Sequence, residues 1–481
     1  MINTKSYFLT ALFLCFLCLG VVQGQVGPNA RLGAETGVLG QAPSKEQAAL
    51  EKAKTDSLAK ADYQHLLKSL NIQLPVLPPL ADDPNRPQNT FPRSSGTGYT
   101  DAQGRSYMRS LWGAWINYDE TKANDYTLPD PLLLKNGTPV ANAETWWKKR
   151  RPEIVNDYET QVFGRVPSSA PKVSFAVSSI DTAALEGRAI KKTIVGSIDN
   201  SAFPNAKPAI HIGLYLPKNS KGQVPLIVIV SSNISGNNQT VKLLNSEGWA
   251  VAVFDAISLQ PDNGAGLNLG IIGLVNKGKP RKPEDWGTIR AWSWGLSKAL
   301  DYLQTEKTIN PKQIGIEGHS RWGKTAMLAA AMDTRWAIVF SSCSGSGGAS
   351  LEKRNFGENL GVIAGESEYH WMAPNFVKYG GDWQALPVDA HDMMALIAPR
   401  PLFIAGGTQD IWADPLGEFK ACVAATPVYK LLGKTGIDAV ESPAPDISLM
   451  DSDLAFRLHE GGHTDAPDWP IFVEFAKRYF K

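Results

Sequence analysis

The sequence predicts an α/β fold: a mostly parallel sheet sandwiched by helices, with a helical and extended segment ahead of it. Three observations predict it. From about residue 172 onward, short apolar runs of strand length alternate with stretches of helical periodicity. Two of those runs, 225–230 and 249–254, are apolar throughout, as strands covered on both faces must be. Finally, Gly315-Ile316-Glu317-Gly318-His319-Ser320-Arg321-Trp322-Gly323-Lys324 joins an apolar run to the Ala-rich residues 325–333, which reads as strand, sharp turn, helix.

The chain begins with a targeting pattern. Lys5 supplies positive charge, residues 7–22 are apolar and Val22-Gln23-Gly24 is an acceptable cleavage site, so residues 1–24 read as a signal peptide. The mature chain is expected to start near Gln25, secreted or periplasmic, with no later segment suited to span a bilayer. Residues 25–97 form the N-terminal segment. Within it 25–42 is Gly- and Ala-rich, 44–70 is a helical run capped by Ser44, and 74–97 is crowded with Pro, Asp and Asn.

Residues 98–481 form the main domain. A helix is expected at 146–158, and alternating apolar residues predict strands at 172–178, 189–195 and 209–216. The two buried runs follow. Ile289, Trp292, Leu296, Leu300 and Leu303 lie at helical spacing within 285–303 and predict a core-facing stripe. Further strands are expected at 313–317, 336–342, 401–405 and 454–458, and a helix at 468–480 closes the domain.

Composition narrows the function classes. The chain has 481 residues, 43% hydrophobic and 20% charged, enough for a large core. A formal net charge of +1 argues against nucleic acid or an anionic membrane as the main partner. Signal removal takes two of the four cysteines and leaves Cys343 and Cys422, which export would allow to pair or to remain as buried thiols. Core packing is the default for the fourteen Trp, although Trp faces also line sugar-binding clefts.

The chemistry starts at Ser320. A Ser between small residues at a strand-to-helix turn is held above the sheet of an α/β-hydrolase, beside helix N–H groups that face a developing oxyanion. The G-x-S-x-G pattern is broken here by Trp322. A Ser hydroxyl also needs a base, and the base a carboxylate; in this fold they follow in the order Ser, acid, His. His463 follows the last strand and precedes the final helix, where the base belongs, whereas His459 sits in the strand itself and His319 points away from Ser320. Asp410 follows the 401–405 strand and can reach that base. Asp414 precedes Pro415 and reads as a helix cap, and Glu317 lies inside the nucleophile strand. Arg321 and Lys324 bring two positive charges to the turn, and a guanidinium there would stabilise the oxyanion.

Gly318-His319-Ser320-Arg321-Trp322-Gly323-Lys324 resembles the G-x-S-R-x-G-K signature of the glucuronoyl esterases, carbohydrate esterase family 15. Asn355-Phe356-Gly357-Glu358, His370-Trp371-Met372-Ala373-Pro374-Asn375-Phe376, Asp410-Ile411-Trp412-Ala413-Asp414-Pro415 and Gly461-Gly462-His463 resemble further blocks, from about Trp112 to the C-terminus. The resemblance implies Ser320 as nucleophile, His463 as base, Arg321 as part of the oxyanion site, and Lys324, Glu358 and Trp412 as contacts to the glucuronoyl ring. Two departures stand out. Cys343 occupies the place where many relatives carry the triad Glu, which leaves Asp410 as the acid. The 233–238 loop matches its family pattern only in part.

The expectation is a secreted serine esterase acting on (4-O-methyl-)glucuronic acid esters, as in lignin–xylan cross-links, and monomeric by default. The alternatives are an acetyl-xylan or other carbohydrate esterase, or an inactive carbohydrate-binding homologue. No H-E-x-x-H or Cys/His cluster is visible, so neither metal nor organic cofactor is expected.

Overall fold

Ten strands form one sheet whose parallel centre carries the site. The computed structural model describes residues 44–75, 99, 100, 104, 106–109, 114–236 and 238–480. The expected signal peptide and most of the strap at 74–97 lie outside the described residues. Among those described, no helix is long and apolar enough to cross a membrane.

Helix α1 (Lys45–Ser69) opens with Ser44 as its N-cap, in a reciprocal capping box with Gln47. Three short strands, β1 (Tyr99–Thr100), β2 (Ser106–Arg109) and β3 (Trp115–Ile116), make a small antiparallel sheet. The large sheet contains β4 (Val173–Ala183), β5 (Ala189–Ile198), β6 (Ala209–Pro217), β7 (Val224–Ser231), β8 (Ala250–Asp255), β9 (Ile309–His319), β10 (Val339–Ser342), β11 (Leu402–Gly407), β12 (Ser448–Leu449) and β13 (Leu454–His459). Their spatial order is β12-β13-β11-β10-β9-β7-β8-β6-β5-β4.

The strands from β7 to β13, except the short β12, pair in parallel. β4, β5 and β6 pair antiparallel in chain order through short connections, and β6 also pairs antiparallel with β8. β4 forms one edge of the sheet, opposite β12, and Val177 and Ile180 on it are exposed.

Side-chain alternation divides the core in two. Leu226 and Val228 of β7 join the core that holds Ile314, Ile316, Leu402 and Ile404, while Ile227 joins Val251, Phe340 and Phe403 on the other face. The first face is covered by α3 (Thr288–Leu303), α4 (Arg321–Met332), α5 (Ala390–Ile397) and α6 (Pro415–Leu431). The second is covered by the closing helix α7 (Trp469–Ala476) and by Val241 and Leu244. The stripe Ile289, Trp292, Leu296, Leu300 and Leu303 is fully buried, as its spacing requires.

Two local outcomes differ from the sequence pattern or complete it. The helix expected at 146–158 widens into π-type turns at Trp146–Arg150 and Tyr158–Val162, on either side of α2 (Arg151–Asp157). Pro152 in the first turn of that middle segment has no N–H to give, so the ordinary ladder cannot run through it. Cys343 and Cys422 are both free and buried, so these two are separate thiols rather than a disulfide.

Helix α1 buries only Tyr63 and Leu66, so its attachment is specific rather than broad. The Tyr63 hydroxyl donates to the Ala364 carbonyl at 2.9 Å. The Tyr369 hydroxyl lies 2.8 Å from an Asp62 carboxylate oxygen and 3.0 Å from the Ala59 carbonyl, with the two Tyr rings 4.9 Å apart. Tyr369→Phe removes this polar anchor and keeps the ring. Loss of about 1 kcal/mol should speed amide hydrogen exchange across α1 by about fivefold and leave β9–β11 unchanged. Unchanged exchange in α1 would mean that ring packing alone holds the helix.

Candidate active site

β9 ends at His319 and α4 begins at Arg321, so Ser320 occupies the turn alone, with φ 59° and ψ −129°. Such a conformation costs a non-glycine residue about 1–3 kcal/mol, and the surroundings must hold it in place. They do so through contacts too close for side chains. A Cβ on Gly318 would lie 2.1 Å from the Trp322 carbonyl oxygen, and one on Gly323 would lie 2.9 Å from the Gly318 oxygen. The second glycine of the turn is therefore three residues after Ser320 instead of two. Trp322 is tolerated because it enters that contact through its backbone carbonyl, while its ring packs on the buried Trp292, centroids 4.7 Å apart. The Ser320 N–H donates to the Ser342 carbonyl at 2.8 Å, which ties the turn to β10.

The remaining residues follow from strand order. β9, β10, β11 and β13 are consecutive neighbours, and their carboxyl ends carry Ser320, Cys343, Asp410 and His463. His463 Nδ1 is 2.7 Å from an Asp410 carboxylate oxygen. Asp410 is buried, which pushes its pKa up, but the hydrogen bond and charge of His463 outweigh burial and hold it below the ordinary carboxylate value. The loops carrying the pair are stapled together. Thr408 N–H donates to the His459 carbonyl at 2.9 Å, Gln409 N–H to Gly461 at 2.7 Å, and Gly461 N–H to the Thr408 hydroxyl at 3.0 Å.

The rival residues have other partners. Asp414 caps α6 by accepting from the Gly417 N–H at 3.0 Å and also accepts from Arg354 at 2.9 Å. Glu317 is buried within β9. His319 packs against the His463 ring, centroids 4.4 Å apart, and burial followed by the neighbouring His463 charge pushes its pKa down to about 3. His459 lies beneath the base loop, with Nδ1 2.9 Å from Asp468 and Nε2 3.0 Å from the Gly462 carbonyl. Both partners are acceptors, so both ring nitrogens carry hydrogen. Burial opposes that charge, but the Asp468 hydrogen bond prevails and raises the pKa.

Arg321 is held by Asp262 at 2.6 Å, and its guanidinium lies 5.1 Å from the centre of the Trp371 ring. Asp262 also bonds His370 at 3.1 Å and the Trp371 indole N–H at 2.6 Å. Burial raises the Asp262 pKa, yet Arg321 and these bonds bring it well below the ordinary value. Lys324 is buried beneath, donating to the Ser344 carbonyl at 2.6 Å, the Ser346 carbonyl at 2.5 Å and Glu358 at 2.6 Å. Its three hydrogens are thus directed at protein acceptors, so a sugar hydroxyl would have to share one of them. Glu358 reaches this pair because Gly357, at φ +60°, lets the chain pass the Ile411 and Trp412 carbonyls, and the Glu358 N–H donates to Trp412 O at 2.7 Å. Trp412 is half-buried.

Some neighbours escaped the sequence reading. Asp262 sits in Pro261-Asp262-Asn263-Gly264, which reads as an ordinary turn. Tyr118 comes from the segment after β3; burial and then the charges of Asp410 and Glu358 push its phenol pKa well up. Glu368 lies in the field of Arg321 and Glu358, and burial pushes its carboxyl up to about 8. No periodicity marks either residue. The 233–238 loop, weighed as a border of the oxyanion site, crosses β6 where Gly213 leaves room for the Ile234 carbonyl. Asn237 lies outside the described residues.

A family model described as glucuronyl esterase, fungi, matches residues 205–433. The carbohydrate esterase MZ0003, from an unknown prokaryotic organism, is 35% identical over 406 residues, spanning 76% of this chain and 92% of that protein. A carbohydrate esterase family 15 glucuronoyl esterase from Teredinibacter turnerae superposes with a TM-score of 0.77 at 37% identity, over 87% of this chain and 99% of the other. A structure described as a promiscuous esterase of the same family, from a marine bacterial metagenome, superposes with a TM-score of 0.68 at 34% identity, over 76% of this chain and 100% of the other.

The His459 clamp carries a pH signature. Its raised pKa means that its contribution to stability is complete below the unfolded value of 6.5 and is lost as pH rises through the folded value. The wild-type urea midpoint should fall over that window, and His459→Asn should flatten the fall while lowering the midpoint at acidic pH. A variant with the wild-type slope would remove His459 as its source.

Proposed function

The chain belongs to carbohydrate esterase family 15, and on that premise we propose that it is a secreted serine esterase that hydrolyses esters of glucuronic acid, such as those joining xylan to lignin. The observation that carries the reading is the hydrogen-bonded Asp410–His463 pair, held by neighbouring strands on the same sheet edge as the strained Ser320 turn. Relatives named 4-O-methyl-glucuronoyl methylesterases support the substrate class.

The chemistry follows from the charges. His463, with its Nδ1 hydrogen directed at Asp410, keeps the Nε2 lone pair for the Ser320 proton. Ser320 Oγ then attacks the C6 carbonyl of the uronoyl ester. The oxyanion is stabilised by N–H groups at the start of α4 and by Arg321, which Asp262 keeps charged and oriented. The imidazolium passes its proton to the departing alcohol, and the same base activates water to release glucuronate. Neither metal nor organic cofactor enters this sequence.

Lys324, Glu358 and Trp412 form the sugar subsite in this reading. The esterified carboxyl is neutral, so recognition falls to the ring hydroxyls, and Glu358 and Lys324 are a polar pair of the right chemistry. Trp412 offers an apolar face. The N-terminal pattern supports export, and a monomer remains the working state. A wider acyl range, including acetylated xylan, is the second reading, favoured by the relative described as promiscuous.

Purified mature protein should hydrolyse benzyl glucuronate well in preference to an acetylated sugar. Ser320→Ala should lower kcat at least about 10³-fold, and Asp410→Asn by about 10²–10⁴-fold with a much smaller change in KM. A preference for the acetyl ester would overturn the acyl specificity, and a fully active Ser320→Ala would overturn the site.

A further inference from the structure

Beside the Asp410–His463 pair stands a group that the reaction does not use. Cys343 occupies the carboxyl end of β10, between the nucleophile strand and the acid strand, with φ 49°. Its thiol is buried, 3.7 Å from the Thr464 carbonyl. Single ligand atoms of Cys343, Asp410 and His463 all lie within 4.8 Å of one another. Among the described residues, no other group of three such side chains comes as close.

We propose that Cys343, Asp410 and His463 form an inhibitory site for a soft divalent cation such as zinc or cadmium. Four-coordinate zinc holds sulfur at about 2.3 Å and nitrogen or oxygen at about 2.0–2.2 Å, which sets ligand atoms roughly 3.3–3.6 Å apart; the site forms when the Cys343 sulfur draws in from the present span and the 2.7 Å His463–Asp410 contact opens to admit the cation. A thiolate, an imidazole and a carboxylate select zinc or cadmium over magnesium or calcium, which prefer oxygen cages. His463 is the exposed member of the three, so a cation can reach the site from its side. Burial and then Asp410 and Glu418 push the thiol pKa well up, so the thiolate forms there only with a dication beside it.

Proton accounting explains the inhibition. The cation displaces the Cys343 thiol hydrogen, which leaves as one proton to solvent. It also takes the Nδ1 lone-pair position now occupied by the hydrogen facing Asp410. The neutral imidazole must then carry its hydrogen on Nε2. With no lone pair there, His463 cannot accept the Ser320 proton, and Asp410 no longer orients the ring. Turnover stops at its first proton transfer, with no bond made or broken in substrate and no redox step.

The inhibition rests on His463 being the base, but binding does not, so the test reads the two separately. Cadmium chloride titrated into metal-free mature enzyme should produce the ultraviolet thiolate-to-cadmium charge-transfer band at one equivalent and release one proton. It should lower benzyl glucuronate turnover at least tenfold, reversibly with a chelator, and magnesium should do neither. Cys343→Ser and Cys343→Ala should keep the metal-free turnover and the fold by circular dichroism. Both should lose the band and need at least tenfold more cadmium for inhibition. Cys422, the other thiol, stays intact in these variants, so a band that persists in them would overturn the site. Absence of the band in the wild type would do so as well. A band without loss of turnover would overturn the inhibitory role, and an enzyme inert towards glucuronate esters would fail the functional reading while the band still decided the site.

Discussion

The constraint on which the site depends is the direct pairing of β9, β10, β11 and β13 at their carboxyl ends. Parallel strands finish on the same edge, and each loop leaving that edge starts within one strand spacing of the next, about 4.8 Å. The register pairs Gly407 with His459 and Ser342 with His319, so the acid loop and the base loop start level. The 2.7 Å contact between Asp410 and His463 follows from that alignment and from the backbone staples between residues 408–409 and 459–461. Glycine is required at 407 because the Gly462 carbonyl would lie 2.5 Å from a Cβ there.

Charge is buried around this edge to an extent that needs compensation at every step. Lys324 and Glu358, side chains almost fully enclosed, would be costly singly; each is matched by the other, and Lys324 also donates to the Ser344 and Ser346 carbonyls. Asp262 answers Arg321, His370 and Trp371 together. Such networks contribute less to stability than hydrophobic residues of the same volume would. What they supply is position: a guanidinium with a fixed partner can face an oxyanion without reorganising. The residues 369–371 extend this framework outward, since His370 and Trp371 hold Asp262 while Tyr369 anchors α1. The N-terminal helix is thereby joined to the residues that orient Arg321.

The same edge gives Cys343 its character. A side chain between nucleophile strand and acid strand necessarily faces the base, whatever its chemistry. A thiol there adds no step to ester hydrolysis, yet it completes a donor set that the carboxylate and imidazole begin. On the proposed roles, catalysis and metal capture would compete for a single atom, His463 Nδ1.

By itself the sequence determined the periodic part of this protein. The buried runs at 225–230 and 249–254 became β7 and β8, the stripe from Ile289 to Leu303 became the core face of α3, and Ser44 capped α1. Chain order and the loops after strands brought Ser320, Asp410 and His463 forward, because in a parallel sheet loop position fixes which edge a residue reaches. Three-dimensional contact decided the rest. Trp322 broke the expected glycine pattern, and only the packing of Gly323 against Gly318 explains why the turn survives. Asp262, Tyr118 and Glu368 lie in segments without periodicity and meet the site through long-range folding. That Lys324 donates to the carbonyls of 344 and 346 and to Glu358, or that Cys343 lies within 4.8 Å of Asp410 and His463, is a distance between segments far apart in sequence, and spacing along a chain carries no such distance.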